Sequence, residues 1–370
     1  MDRLHIESHG DFRFARSDSK VVEEIFNGVD IYWIEGEHIK LGFADVTFLM
    51  WPTGSGRPGG VESGDEPDKG SGPMRSLASG ALAFEPFARA HAYLERAENL
   101  YIRMQEVLLV EDKDFPEVNE YGVKAPSKIK GQGYMGEGPF LGQVGKYEVL
   151  LLPGQVEFDA YAKSDMGKLG DGTNLKRMED TDAQSTSLHL MDGAMWDDDG
   201  VTGYMLHHLV HALLTGYKHD NYPTPPWIQE GLAHALERES SPQFTSFCGP
   251  AEVTASGSKV NNWTSEMNEI LRKRKKPYLD SLLGKASVSS FTHEDHIMAW
   301  SMVRFLLDKH PDAFAAINAD LHGIGEGKRR IGMPQVLVAQ KDAFDEHLHM
   351  DYAEFDKQWS KWAKKQKARR

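Results

Sequence analysis

A single cysteine in 370 residues, Cys248, excludes a disulfide framework within the chain and any zinc site built mainly of thiolates. It lies in the Ser/Pro-rich stretch SPQFTSFCGP, without a histidine or acid beside it in sequence, so no Cys-His catalytic context is expected. Long apolar runs are missing too: none approaches the roughly 20 residues needed to cross a bilayer, and no membrane span is expected. Positive charge is scarce, with 42 Lys and Arg against 56 Asp and Glu and a formal net charge of −14, which argues against a nucleic-acid partner. The two dense basic runs, RKRKK at 272–276 and the terminal KKQKARR, read as solvated helix ends. No GxxxxGK[ST] phosphate loop and no G-x-S-x-G elbow occurs. The opening MDRLHIESHG lacks the charged-then-apolar pattern of a signal peptide, which leaves a cytoplasmic chain or an exported one whose leader has been removed.

What is present is ordinary globular material, 40% apolar and 26% charged, enough for one large or two modest domains. The expected division is an α/β portion over 1–175 and a second portion over 176–370 with a helical C-terminus. Residues 4–15 read as a strand or hairpin, 19–36 as a helix ending near Gly36, and the β-branched and aromatic run EHIKLGFADVTFLMWP as extended. The stretch 52–80 is Gly, Ser, Pro and acid with little to bury, a flexible insertion. One long helix is predicted over 83–111, a buried strand over 146–153 with a helix start after it, and a further strand over 185–193. From there the spacing predicts helices over 202–215, 226–239, 261–273, 296–310, 311–322 and 351–368.

The chemistry concentrates in GYMLHHLVHALLTGY, residues 203–217. Thr202 is placed to cap this helix and Gly216 to end it in the left-handed conformation. His207 and His211, four apart, stack on one face, where both rings reach a single metal ion. Imidazoles at this spacing suit Zn²⁺, which takes three protein ligands when its site is catalytic. A third ligand is expected in PTPPWIQEGLAHALERE, where Pro225 and Pro226 favour a helix start and Glu230 falls one turn inside.

The pattern His207-His-Leu-Val-His211 followed by Trp227-Ile-Gln-Glu230-Gly-Leu-Ala233 resembles the gluzincin metallopeptidases, in particular the peptidase-MA-like domains. Those enzymes hold one zinc with an HExxH helix and a downstream glutamate, often in a W-x-x-E-G-x-A setting. The resemblance implies His207, His211 and Glu230 as zinc ligands. It also implies a zincin-like α+β fold: a small mixed sheet packed on the paired helices 202–215 and 226–239, with a mostly helical C-terminal part. The expected activity is hydrolysis of internal peptide bonds in a peptide or protein substrate by a water on the metal. The alternative is an inactive pseudo-peptidase that binds peptides or proteins.

One departure bears on that choice. The family's proton-accepting glutamate is replaced by His208, which can act as the base, coordinate the metal and close the site, or mark a scaffold without turnover. His234, one turn after Glu230, stands where an acid commonly orients a ligand histidine; it can accept that hydrogen bond, join the metal as a ligand, or leave the task to Glu237. In HEDHIMAWSMVRFL, His296 sits where the family places an oxyanion-stabilising tyrosine, although His293 and His296 also suit a solvated helix start. Ser187, Leu188 and His189 lie on the strand expected to form the edge that pairs with an extended substrate. Trp227 reads as core packing.

Overall fold

The computed structural model describes residues 4–5, 20–26, 29–43, 86–117, 135–152, 158, 174–178, 184–189, 198–219, 224–240, 245–248, 262–273, 278–323 and 332–366. The insertion expected at 52–80 and nearly all of the helix expected to begin after Pro153 lie outside them. The described residues form a mixed α+β structure in which strands precede a mostly helical C-terminal part.

Seven strands, β1 (Leu4–His5), β2 (Lys20–Phe26), β3 (Val29–Glu35), β4 (Ile39–Phe43), β5 (Tyr147–Leu152), β6 (Asn174–Met178) and β7 (Gln184–His189), pair in the order β1-β2-β3-β4-β5-β7-β6. The first four are antiparallel neighbours, β4, β5 and β7 run parallel, and β6 returns antiparallel to β7. β6 and β7 therefore belong to the same sheet as the N-terminal strands. The helix expected over 19–36 is instead the hairpin pair β2 and β3, with Phe26 opposite Val29. Helical apolar spacing misled there. The stronger signal was Asn27-Gly28 between two β-branched runs, the dipeptide that favours a two-residue hairpin connection.

Both faces of the sheet are covered. Ile34, Ile39, Leu41, Phe43, Tyr147, Val149 and Leu151 join the main core under the helices. Ile31, Trp33, Leu150, Leu152 and Phe158 form a second cluster on the opposite face. Double coverage explains why β5, YEVLLL, reads as an almost unbroken apolar run.

Nine α-helices occur among the described residues: α1 (Pro86–Leu108), α2 (Asp198–Gly216), α3 (Pro226–Ser240), α4 (Trp263–Lys273), α5 (Leu279–Leu283), α6 (His293–Lys309), α7 (Pro311–Gly323), α8 (Met333–His347) and α9 (Tyr352–Ala363). α1 and α2 lie against the sheet, whereas α3 packs chiefly between α2 and α6, one layer further from the strands. The expected packing of the sheet on the helix pair is thus made mainly by α2. This helix starts a turn earlier than Thr202: Asp198 and Asp199 occupy its first turn, where acids suit the helix dipole. Arg89 Nε and Tyr93 Oη on α1 both donate to Asp198 Oδ1 at 2.6 Å, and Arg96 donates to Thr202 Oγ1. The left-handed residue after α2 is Lys218 (φ 61°), not Gly216. Its backbone N–H donates to Leu141 O at 2.7 Å and its ammonium to Ala319 O at 3.1 Å, which holds the turn.

α3 and α6 touch at Gly231. A Cβ there would stand 2.6 Å from both Ala299 O and Val303 Cγ2, so the glycine after Glu230 is what lets the two backbones approach. Trp227 is core, as its sequence setting implied, and its indole donates to Gln340 Oε1 at 2.8 Å.

Away from these helices, buried His38 ties the sheet to α1. Its ring nitrogens lie 2.6 Å from Glu98 Oε2 and 2.9 Å from Asp112 Oδ2, and the ring stacks on Tyr101. Burial opposes the charged ring, but Asp112 and Glu98 outweigh it and lift the pKa from 6.5 to about 9. A raised folded-state pKa contributes stability that is complete below the unfolded value and lost as pH climbs through the folded one. Urea unfolding should therefore show wild type losing on the order of 2 kcal/mol relative to His38→Gln as pH rises from about 6.5 to above 9, allowing for solvent screening at Asp112. A difference between the two proteins that stays flat over that window contradicts the assignment.

Candidate metal centre

α2 is buried on nearly every side, which suits a core helix, yet His207, His208 and His211 stand in the middle of it at 0–1% exposure. Buried imidazoles need partners. The i, i+4 spacing brings His207 Nε2 and His211 Nε2 to 3.3 Å of each other. Across the contact with α3, Glu230 Oε1 lies 3.2 Å from His211 Nε2 and Oε2 lies 3.8 Å from His207 Nε2. The three residues expected as ligands are together.

The fourth member was not expected. Cys248 Sγ stands 3.3 Å from His211 Nε2, 3.5 Å from His207 Nε2 and 3.9 Å from His208 Nδ1. The lone cysteine therefore has imidazole neighbours, contrary to the expectation that it had none. They lie about forty positions away in the chain, and no motif spacing links them. Its segment is positioned from α3: Ser246 N–H donates to Glu237 Oε1 at 2.7 Å, and Arg238 donates to Thr245 Oγ1 at 2.6 Å.

Four donors about 2.0–2.3 Å from a tetrahedral ion stand about 3.3–3.8 Å apart. The contacts that the two imidazoles make with each other, with Glu230 and with Cys248 run from 3.2 to 3.8 Å. Glu230 is 0% exposed, and neither carboxylate oxygen receives a hydrogen bond of good geometry. A buried carboxylate left in that way is costly unless a cation meets it. These buried groups can hold a metal ion.

Glu237 organises the rings behind the donors. Its Oε2 lies 3.3 Å from His207 Nδ1 and 3.4 Å from His234 Nδ1. A proton on each Nδ1 satisfies the carboxylate and turns both Nε2 lone pairs inward. Glu237 thus stands where it can orient two rings, and His234 falls both in a donor group with His207 and Glu237 and in one with Glu230 and His296. Burial pushes the Glu237 carboxyl up and pushes His234 down to about 3. Burial acts to raise Glu230 as well, but the His211 and His296 imidazoles hold it well below the usual carboxylate range.

His208 belongs to none of the donor sets found among the described residues; its ring packs edge-on against Tyr204, beside the cysteine. His296 is fully buried, 3.0 Å from His234 Nε2 and 3.3 Å from Glu230 Oε2, so it does not decorate a solvated helix start. His293 does, half-exposed and paired with Glu266. The expected substrate edge at Ser187, Leu188 and His189 is not an edge, because β7 pairs with β5 on one side and β6 on the other. No family model matches this chain, and no curated protein matches it either.

Proposed function

We propose that this chain is a zinc protein of gluzincin-like design in which His207, His211 and Glu230 hold the ion and the Cys248 thiolate fills the position an open peptidase keeps for water. One observation carries this reading: the Cys248 thiol and one oxygen of the fully buried Glu230 carboxylate gather with the two imidazoles of His207 and His211, all within 4.8 Å of one another, and these are donors of the kinds zinc prefers. Four protein ligands are the number of a closed site. His208 in place of the glutamate base points the same way, so the resting protein is a pseudo-peptidase whose ion holds α2, α3 and the 245–248 segment together.

A second reading, a hydrolase gated by its thiol, has its own support. Cys248 is only half-buried, unlike the histidines, and His208 Nδ1 lies 3.9 Å from its sulfur. With the thiolate displaced, His208 would flank the vacated position and serve as base, and any extended peptide pairing with this side of the sheet would meet β6.

Metal analysis and a casein assay on protein purified without a histidine tag test both readings. The closed site predicts bound zinc, no chelator-sensitive cleavage by wild type, and none by Cys248→Ala, which retains zinc at reduced affinity. Cleavage appearing in Cys248→Ala supports the gated hydrolase. Zinc content insensitive to His207→Ala rejects both.

A further inference from the structure

Glu230 has two oxygens, and they face different groups. Oε1 lies toward His211, whereas Oε2 lies 3.3 Å from His296 Nδ1 and 3.5 Å from His234 Nε2. The two ring nitrogens are themselves 3.0 Å apart. These three distances form a second triangle with edges of the length expected for donors on one ion, about 3.3 Å. All three residues are fully buried, and they come from two helices, α3 and α6, that the Gly231 contact clamps together.

We propose that a second divalent metal ion binds between His234 Nε2, His296 Nδ1 and Glu230 Oε2, with the Glu230 carboxylate bridging it to the ion held by His207, His211 and Cys248. Glu237 prepares both sites alike, because one oxygen faces the Nδ1 atoms of His207 and His234, so that each Nε2 faces its own donor group. The sites differ in chemistry. The first has a thiolate and four protein donors; the second has two imidazoles and one carboxylate oxygen, the ligand count of an open zinc site. One coordination position there is left for a small exogenous ligand. The second site shares Glu230 with the centre proposed above but does not depend on Cys248 or His211.

The test is metal stoichiometry of the full chain, purified without a tag, stripped with chelator and reloaded with Zn²⁺, with circular dichroism confirming that each variant is folded. Wild type should bind two equivalents; His234→Ala, His296→Ala and His211→Ala one each. One equivalent in wild type, kept by His296→Ala and lost by His211→Ala, overturns the second site and leaves the first intact. The reverse pattern removes the first and supports the second. Titration of wild type with Co²⁺ adds a readout free of mutation. One equivalent should bring a near-ultraviolet thiolate-to-cobalt charge-transfer band, and the other only ligand-field absorption. Saturation at a single equivalent that carries the charge-transfer band refutes the proposal.

Discussion

Glu230→Ala should leave the protein unable to retain metal at all, whereas each histidine variant loses only one ion. The asymmetry follows from position. Glu230 is the residue whose two oxygens face both donor sets, and it is fully buried between α2, α3 and α6. Binding to the folded state alone stabilises it by mass action, and structural zinc sites reach apparent binding energies of about 10–16 kcal/mol near pH 7. Even a fraction of that is large, since each kcal/mol moves Tm by about 2–4 °C in a domain of about 150–250 residues. Chelator should therefore lower the Tm of wild type by on the order of 10 °C or more. It should not move that of Glu230→Ala, which is expected to melt near the stripped wild type. Identical melting of loaded and stripped wild type would show that no ion stabilises this core.

The second large effect is a gain. His208→Glu combined with Cys248→Ala should bring chelator-sensitive cleavage of casein where Cys248→Ala alone shows none above background, a general base being worth about 10²–10⁴-fold. Position 208 suits the task because its ring already lies beside the thiol, on the same helix as two of the ligands. The thiol has to go as well, because while it fills the fourth position a carboxylate at 208 has no water to deprotonate. A zinc-loaded double variant that cleaves nothing argues that the scaffold has lost more than its base, and it leaves the metal centre standing as a structural device.

How much of this was legible in the chain depends on how local each feature is. His207 and His211 were readable as a pair because one helix fixes their spacing. Glu230 was readable because its helix carries a proline start and an apolar face that leaves few places for a buried acid. The pairing of β2 with β3 is local too, since the strands are adjacent in sequence and Asn27-Gly28 between them favours a hairpin, but the same stretch also carries apolar residues at helical spacing. Helices α5 and α8 carry no clear periodic signal. The five-residue α5 is too short for any period to show, and α8 buries only Val336, Gln340, Ala343 and Phe344 of its fifteen residues.

Cys248, Glu237 and His296 are of another kind. Nothing in the neighbourhood of Cys248 marks it; the family likeness singled out Glu237 as one option for orienting a ligand histidine and His296 for an oxyanion, and the partners of all three come from which helices touch. The close α3–α6 contact at Gly231 brings His296 onto Glu230, and the bond from Ser246 to Glu237 fixes the 245–248 segment that places Cys248 beside the two rings of α2. By itself the sequence determined the α+β class and the likeness to a metal-binding helix pair, because periodicity and i, i+4 spacing are properties of single elements. Tertiary structure alone decided that a thiol stands beside the His207 and His211 rings and that a second pair of imidazoles lies against the other oxygen of Glu230, because distances between elements are fixed by packing and written in no local stretch of chain.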